Sequence, residues 1–454
     1  MSDTAATPSL FRRILRWTFR IVLVLVVLIA GVVLFFLRDA LYNRYIYLPR
    51  MAQAMEELKT THRDVTLDDA WTEYRCTLHT HSKFSHDSEM EWEDILAAAK
   101  KSKVQALMMS DHCVNTQASF AWQWRGLHDG VLFVPGFEMN YGYLVWGLPE
   151  DLTLDCKWQA NQLAVKIDEN DGTLFYAHSE EDRLWDSPYY GGMEIYNIHT
   201  DFKDESLADM LPNMMLAANT YGAQAYRLLF DRQTEILKHW DELNQTRHIT
   251  GFAASDAHQN IGLRIKYTFD GMLEIGDTSP KPGKKFALNP VTRLLARLAF
   301  GKLEPGTTLY RLDADPYERS LNFVNTHVLA KELTQDAILG ALHEGRAFIA
   351  FNMIADAEGF VFFAEDGPTQ ATMGESIPFS PTMKLRADAP FPCRYTVVRD
   401  GEVVYQGDGP ELRYEPTGPG QYRLEAEVML MDEWTPWIYT NPILITPKVE
   451  LAQR

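Results

Sequence analysis

The chain has 454 residues, 46% hydrophobic and 23% charged, a composition that excludes a disordered chain and a length that predicts two folded units rather than one core. Its formal charge of −19 excludes a nucleic-acid groove as its main business, because a phosphate backbone needs a basic face.

In chain order, the first feature follows Arg20: "IVLVLVVLIAGVVLFFL", residues 21–37, carries no charged or strongly polar side chain. At about 1.5 Å per residue this run nearly crosses a bilayer core, and Phe19 lengthens it if Arg20 snorkels. A buried helix or a cleaved signal peptide is the alternative, but the run is long for a signal and "RDALYNRY" follows it in place of a small-residue cleavage site. Trp17, Tyr42, Tyr45 and Tyr47 stand where interface aromatics belong. The expectation is a single membrane-spanning helix over 21–37 behind a short cytoplasmic segment, 1–20. Arg12, Arg13, Arg16 and Arg20 outweigh Arg38, Arg44 and Arg50, which puts the bulk of the protein on the extracytoplasmic side. Residues 38–70 read as a polar, helical stalk or linker. Cys76, Cys113, Cys156 and Cys393 match no zinc-finger spacing and permit disulfides without demanding them.

From Trp71 short apolar runs alternate with helical ones, the pattern of an α/β fold. "EWEDILAAAKKSK" and "RQTEILKHWDELNQ" read as helices, while "VQALMMSDH", "GVLFVPGFEMN", "GTLFYAHSE" and "HITGFAASDAH" read as strands. In each strand the ionisable residues sit at the C-terminal end, where enzymes of this class keep their sites. The candidate metal ligands are His79 and His81, Asp87 with His86 its rival, Asp111 and His112, Glu138, His178, and Asp256 with His258. Two side chains one residue apart on a strand point the same way, so His79 and His81 can share an ion, as can Asp256 and His258. Asp111 is expected to orient His112 or the strand end.

The ordered series "LHTHSKFSHDS", "ALMMSDH", "VPGFE", "FYAHS" and "GFAASDAH" resembles the PHP family, named for polymerase and histidinol phosphatase domains, over about Tyr74 to His258. The resemblance implies a distorted seven-stranded β/α barrel over 71–355 whose strand ends hold two or three divalent ions. It would place one ion on His79, His81, Glu138 and Asp256, a second on Glu138 and His178, and a third on Asp87, His112 and His258. Relatives supply a further histidine to the middle ion where Tyr143 stands here, and His199 is the candidate to replace it.

Mixed imidazole and carboxylate ligands suit zinc, manganese or iron rather than calcium. A water held between two such ions titrates at about pH 7 and needs no serine or cysteine nucleophile beside it. The candidate catalytic residues are Glu138 as the bridge, His258 for proton transfer to the leaving group if a bound water does not supply it, and Arg264 as a phosphate contact; Lys266, Lys83 and Arg183 are further cations close in sequence.

Beyond the ligands, "NPVTRLLARLAFGK" is a basic amphipathic helix that could lie on the membrane or cover the site, with packing on the barrel expected. "TQDAILGALHEGRAFIAF" resembles the helix and strand that close PHP regions. From about Asp356 alternation with Gly and Pro turns, including a "RDGEVV" hairpin, predicts a small β-sandwich over 356–454, similar to those appended to the carbaryl-hydrolase-like CehA/McbA group. The expected function is a membrane-anchored metal-dependent hydrolase acting on a small phosphate ester, with no nucleic-acid partner. The alternatives are carbamate, ester or amide hydrolysis at the same site, or a non-catalytic receptor.

Overall fold

A computed structural model describes residues 10–65, 70–113, 117–198, 200–201, 207–217 and 220–448. The chain opens with helix Leu10–Phe36, which begins eleven residues before the apolar run because the arginine-rich segment ahead of it is also helix-compatible. Its Leu15–Phe36 stretch is wholly exposed and is the one helix among the described residues long and apolar enough to cross a membrane; a signal sequence passes the same test. The residues read as a stalk form helix Arg38–Tyr42, a π-helical turn Asn43–Tyr47 and helix Leu48–Lys59. That last helix buries Leu48, Met51, Met55 and Leu58 against the body, and Arg63 beyond it donates to the carbonyls of Ala389 and Pro410. This segment is therefore packed against the C-terminal strands.

Strand Thr72–Thr80 pairs in parallel with Ala106–Met109, and that strand with Val131–Val134. On its other edge Thr72–Thr80 pairs antiparallel with Asn325–Ala330, followed by Ala347–Ala350 and Glu433–Thr440, within one fourteen-stranded sheet. A six-stranded sheet runs in the order Thr250–Ala254, Gly192–Asn197, Thr173–Tyr176, Tyr143–Trp146, Gly136–Met139, Asp111–His112. The "GVLFVPGFE" run, read as one strand, is split at Pro135, which has no N–H to give a ladder. Its halves belong to different sheets, as do the two halves of "ALMMSDH", so the chain itself ties the sheets together. A parallel bridge from the end of Thr72–Thr80, at Thr80, to Ala257, just beyond Thr250–Ala254, links the two sheets again. The C-terminal ends of the parallel strands thus meet at one rim.

The C-terminal strands Lys384–Arg399 and Glu402–Tyr414 form an antiparallel hairpin closed by Asp400 and Gly401, both with positive φ, 51° and 88°, as an Asp-Gly type I′ turn requires. Trp437, Tyr422 and Leu424 are fully buried beneath it. Just after His258 the chain makes an excursion: a four-stranded sheet of Gly262–Tyr267, Leu273–Gly276, Lys284–Phe286 and Thr307–Asp313, with helix Pro290–Phe300 between its last two strands. Ala296 is the helix residue that is buried, so the expected packing on the body is confined to one small side chain.

Candidate metal centre

His79 and His81 close the first strand and are both fully buried. Their rings point to one side, as strand alternation requires, with centroids 5.1 Å apart. Glu138 comes from strand Gly136–Met139 of the six-stranded sheet, held opposite His112 by the parallel register. Its Oε2 lies 3.2 Å from His79 Nε2, 3.2 Å from His112 Nδ1 and 3.6 Å from His81 Nε2, and its Oε1 lies 3.4 Å from His178 Nε2. Asp256 approaches from the far side, with Oδ1 3.2 Å from His79 Nε2 and 3.1 Å from His81 Nε2, and Oδ2 3.7 Å from His178 Nε2. Asp87 stands between His258 Nε2, 3.4 Å away, and His112 Nε2, 3.6 Å away. The His81 and His258 rings stack at 3.8 Å. Two of these positions, His178 and Asp256, have positive φ of 50° and 49°, a costly conformation that recurs where side chains are aimed at a site.

Three groups of candidate ligand atoms lie within 4.8 Å of one another: His79, His81, Glu138 and Asp256; His81, His112 and His258; and His86, Asp87 and His112. His86 and Asp87 thus occur together, with His86 the more exposed at 53% of its side chain. The donor set fits a divalent cation: imidazole nitrogens and carboxylate oxygens converge from several strand ends, almost all buried. The electrostatics agree. Burial works against the His79 imidazolium, yet Asp256 and Glu138 hold its pKa well above the ordinary value, and the same kind of field, led by Glu138 against burial, raises His178 to about 10. A field that retains protons on two buried imidazoles also attracts a metal ion. Burial and the neighbouring His258 push His81 well down, towards the neutral form a ligand needs. Glu138 stays ionised, since His79 and His178 outweigh its burial.

Asp111 is fully buried on the short strand that also carries His112. It accepts the backbone N–H of Ser82 at 2.5 Å, the Ser82 hydroxyl at 2.9 Å and Gln123 Nε2 at 3.0 Å, fixing the turn after the histidine pair. Ser85 in that turn donates to Asp111 at 3.3 Å, meets His81 Nδ1 at 2.8 Å and accepts the His112 backbone N–H at 2.9 Å, so Asp111 reaches the His81 ring and the His112 backbone through Ser85. Tyr143 is buried in the main core beside Tyr176, ring centroids 5.4 Å apart. His199 lies outside the described residues. Arg264 is anchored by the Lys281 carbonyl at 3.0 Å and sits 3.8 Å from Glu89. Lys83 pairs with Glu91. Arg183 donates to the Ala177 carbonyl, beside His178, and packs its guanidinium where a Cβ on Gly142 would stand. Lys266 lies on the excursion sheet, paired in register with Glu274.

Sequence reasoning missed Glu194. It is buried on strand Gly192–Asn197 between apolar neighbours, places Oε1 3.1 Å from His79 Nδ1 and accepts the His178 backbone N–H through Oε2 at 2.7 Å. A lone carboxylate inside the apolar run "GMEIYN" was the available signal.

No family model matches the chain, and no curated protein matches it. Among solved structures, a two-domain protein containing a predicted PHP-like metal-dependent phosphoesterase, from Bacteroides vulgatus, aligns with 12% identity, covering 84% of this chain and 98% of that one, at a TM-score of 0.36.

Proposed function

We propose that the protein is a metal-dependent hydrolase of small phosphate esters, of the PHP kind and similar to its CehA/McbA group, anchored to a membrane by its N-terminal helix with the folded part outside the cytoplasm. The observation that carries the reading is the buried convergence of His79, His81, Glu138 and Asp256, their ligand atoms within 4.8 Å of one another. These four would hold one ion, Glu138 and His178 a second, and Asp87, His112 and His258 a third. On this reading 71–355 is a seven-stranded barrel and 356–454 a β-sandwich. Two or three zinc, manganese or iron ions held there supply Lewis acidity and positive charge to a bound phosphoryl group.

The chain's own residues do the rest. Glu138 presents one oxygen to His79 and His112 and the other to His178, the posture of a bridging carboxylate. Glu194 and Ser85 fix the rings of His79 and His81 from behind, so little reorganisation is left for the reaction. If only the first two ions are held, His258, with Nδ1 on the Asp256 side and Nε2 on the Asp87 side, is placed to move a proton at the leaving oxygen; with the third ion held, a bound water takes that role. Arg264 would meet the phosphate, its guanidinium already steadied by the Lys281 carbonyl.

The test is metal content and turnover together, on the full chain in detergent, comparing wild type with His79→Ala/His81→Ala. An aryl phosphate, a phosphodiester and a carboxyl ester are offered with manganese, zinc or iron. Turnover of a phosphate ester that the double variant loses along with its metal supports the proposal. Turnover of the carboxyl ester alone moves the assignment to ester, carbamate or amide hydrolysis, and metal binding without turnover favours a receptor.

A further inference from the structure

The excursion between His258 and Asp315 carries a helix built the wrong way round for a soluble protein. Helix Pro290–Phe300 is well specified locally: Asn289 caps it by accepting the Thr292 N–H at 2.9 Å, Pro290 stands in its first turn, and Gly301 ends it with φ 77°. Val291, Leu294, Leu295 and Leu298 recur at i, i+3, i+4 and i+7, a single apolar stripe. In an ordinary surface helix that stripe faces the core. Here the four are 67%, 58%, 58% and 75% exposed. The residue turned inward is Ala296, roughly 150° around the helix from the middle of the stripe. Phe286, on the strand leading into the helix, is also exposed.

Charge says what covers the stripe. From Thr278 to Lys302 the sequence holds Lys281, Lys284, Lys285, Arg293, Arg297 and Lys302 and no acidic residue, in a chain whose formal charge is −19. All six are exposed. Lys285 pairs with Asp270 and Lys302 with Glu304; among the described residues the other four have no salt-bridge partner at the helix. An apolar stripe flanked by lysine and arginine fits the boundary between anionic headgroups and acyl chains, and this chain also carries a helix long enough to cross a membrane.

We propose that the 262–313 excursion is a membrane-docking element: the stripe Val291, Leu294, Leu295, Leu298 lies in the interface of an anionic bilayer, with its cations on the headgroups. Asp315 ties the base of the excursion to the rim of the metal centre by accepting the N–H groups of Asn260 and Ile261. Docking therefore sets the height of that rim over the membrane. The inference stands whether or not the hydrolase reading does.

The experiment uses the full chain with Leu298→Cys carrying an environment-sensitive fluorophore. Cys76 and Cys393 are buried and Cys113 is bonded to Cys156, so labelling is selective. The protein is reconstituted into phosphatidylcholine–phosphatidylglycerol vesicles, into pure phosphatidylcholine vesicles, and kept in detergent. The expected result is a blue shift, with quenching by acyl-chain spin-labelled lipid, in the anionic vesicles alone. A control label at exposed Val403 stays in water throughout. Each cation near an anionic surface strengthens attachment roughly fivefold, so Arg293→Gln/Arg297→Gln lowers the docked-to-free ratio by roughly twenty-fivefold, with thermal melting checking that the variant is folded. A label that stays water-exposed in anionic vesicles overturns the proposal. An equal shift in pure phosphatidylcholine, or one in detergent that grows with protein concentration and so reports a second copy, overturns it too.

Discussion

Glu194 stands behind His79, its Oε1 3.1 Å from His79 Nδ1, while its other oxygen accepts the His178 backbone N–H at 2.7 Å. One carboxylate therefore holds the His79 ring and the His178 backbone, which come from different parts of the chain. When an ion takes the place of the Nε2 proton, Nδ1–H donated to Glu194 fixes the tautomer whose Nε2 lone pair faces Glu138 and Asp256. Glu194→Ala is expected to weaken metal binding by about 10- to 100-fold, and Glu194→Gln by less, since an amide oxygen still accepts the Nδ1–H. Competition against a chelator of known affinity measures both, and an unchanged affinity in Glu194→Ala removes the positioning role.

The disulfide Cys113–Cys156 begins one residue after His112, with Cα atoms 6.1 Å apart across a sequence separation of 43. The same Cys156 holds Asn140, which donates to its carbonyl at 2.7 Å, so the link steadies the chain on both sides of the Glu138–His112 register. A closed loop of that length stabilises by up to about 4 kcal/mol in the chain-entropy account. Cys113→Ser/Cys156→Ser is expected to lose roughly 2–4 kcal/mol in denaturant unfolding, and the loss is expected to vanish when both proteins are compared under reducing conditions. A persisting difference there assigns the effect to serine packing.

Much of the candidate centre was legible because clustered histidines and carboxylates are chemically conspicuous: pairs such as His79 with His81 and Asp256 with His258 sit at the ends of apolar runs, and the fold brings His79 and His258 each within 3.2 Å of Asp256. Glu194 was not legible, since its role comes from the pairing of strands Thr173–Tyr176 and Gly192–Asn197, a relation between distant segments that no local pattern encodes. Asp111 was legible as an orienting residue but not through which partners, because Ser82 and Gln123 depend on how two loops meet. The spacing of His79 and His81 implied a strand but not its neighbour on the far edge, Asn325–Ala330, some 250 residues on. Helix Pro290–Phe300 was readable as amphipathic, and which way its stripe faced was not: periodicity gives the width of a face and not its direction.

Asp315 gives the fold a pH dependence of definite sign. Burial pushes its carboxyl from 3.8 up to about 7, although the N–H groups of Ile261 and Asn260 favour the charged form. A carboxyl whose native pKa lies above its unfolded value favours the fold in its neutral form, so its contribution is greatest in acid and is lost as pH rises through 4 to 7, by at most about 4 kcal/mol. Asp315→Asn cannot ionise and loses one of the two acceptors. The stability gap between wild type and this variant is therefore expected to narrow from about pH 4 to about pH 7 and then to level off. A gap that is constant across that range shows that Asp315 is ionised in the native state at acid pH.

Arg423 joins the C-terminal strands to the rest of the protein. Its guanidinium makes two hydrogen bonds to Asp241, at 2.6 and 2.7 Å, from helix Thr234–Asn244, and a third to Glu425 at 2.7 Å. The arginine is 6% exposed, Asp241 11% and Glu425 4%. Such a buried array gains little over apolar packing while complete, but removing its cation strands two carboxylates away from water. Glu425 keeps a partner in Arg232, whereas Asp241 has no other cation in salt-bridge range among the described residues. Arg423→Ala is expected to cost about 3–5 kcal/mol in thermal or denaturant unfolding, and Arg423→Ala/Asp241→Ala less than the single change, because the second substitution removes the stranded charge. If the double variant is as unstable as the sum of the two single variants, the pair is not coupled, and the junction is held by the apolar packing around Trp240 and Trp437, both fully buried.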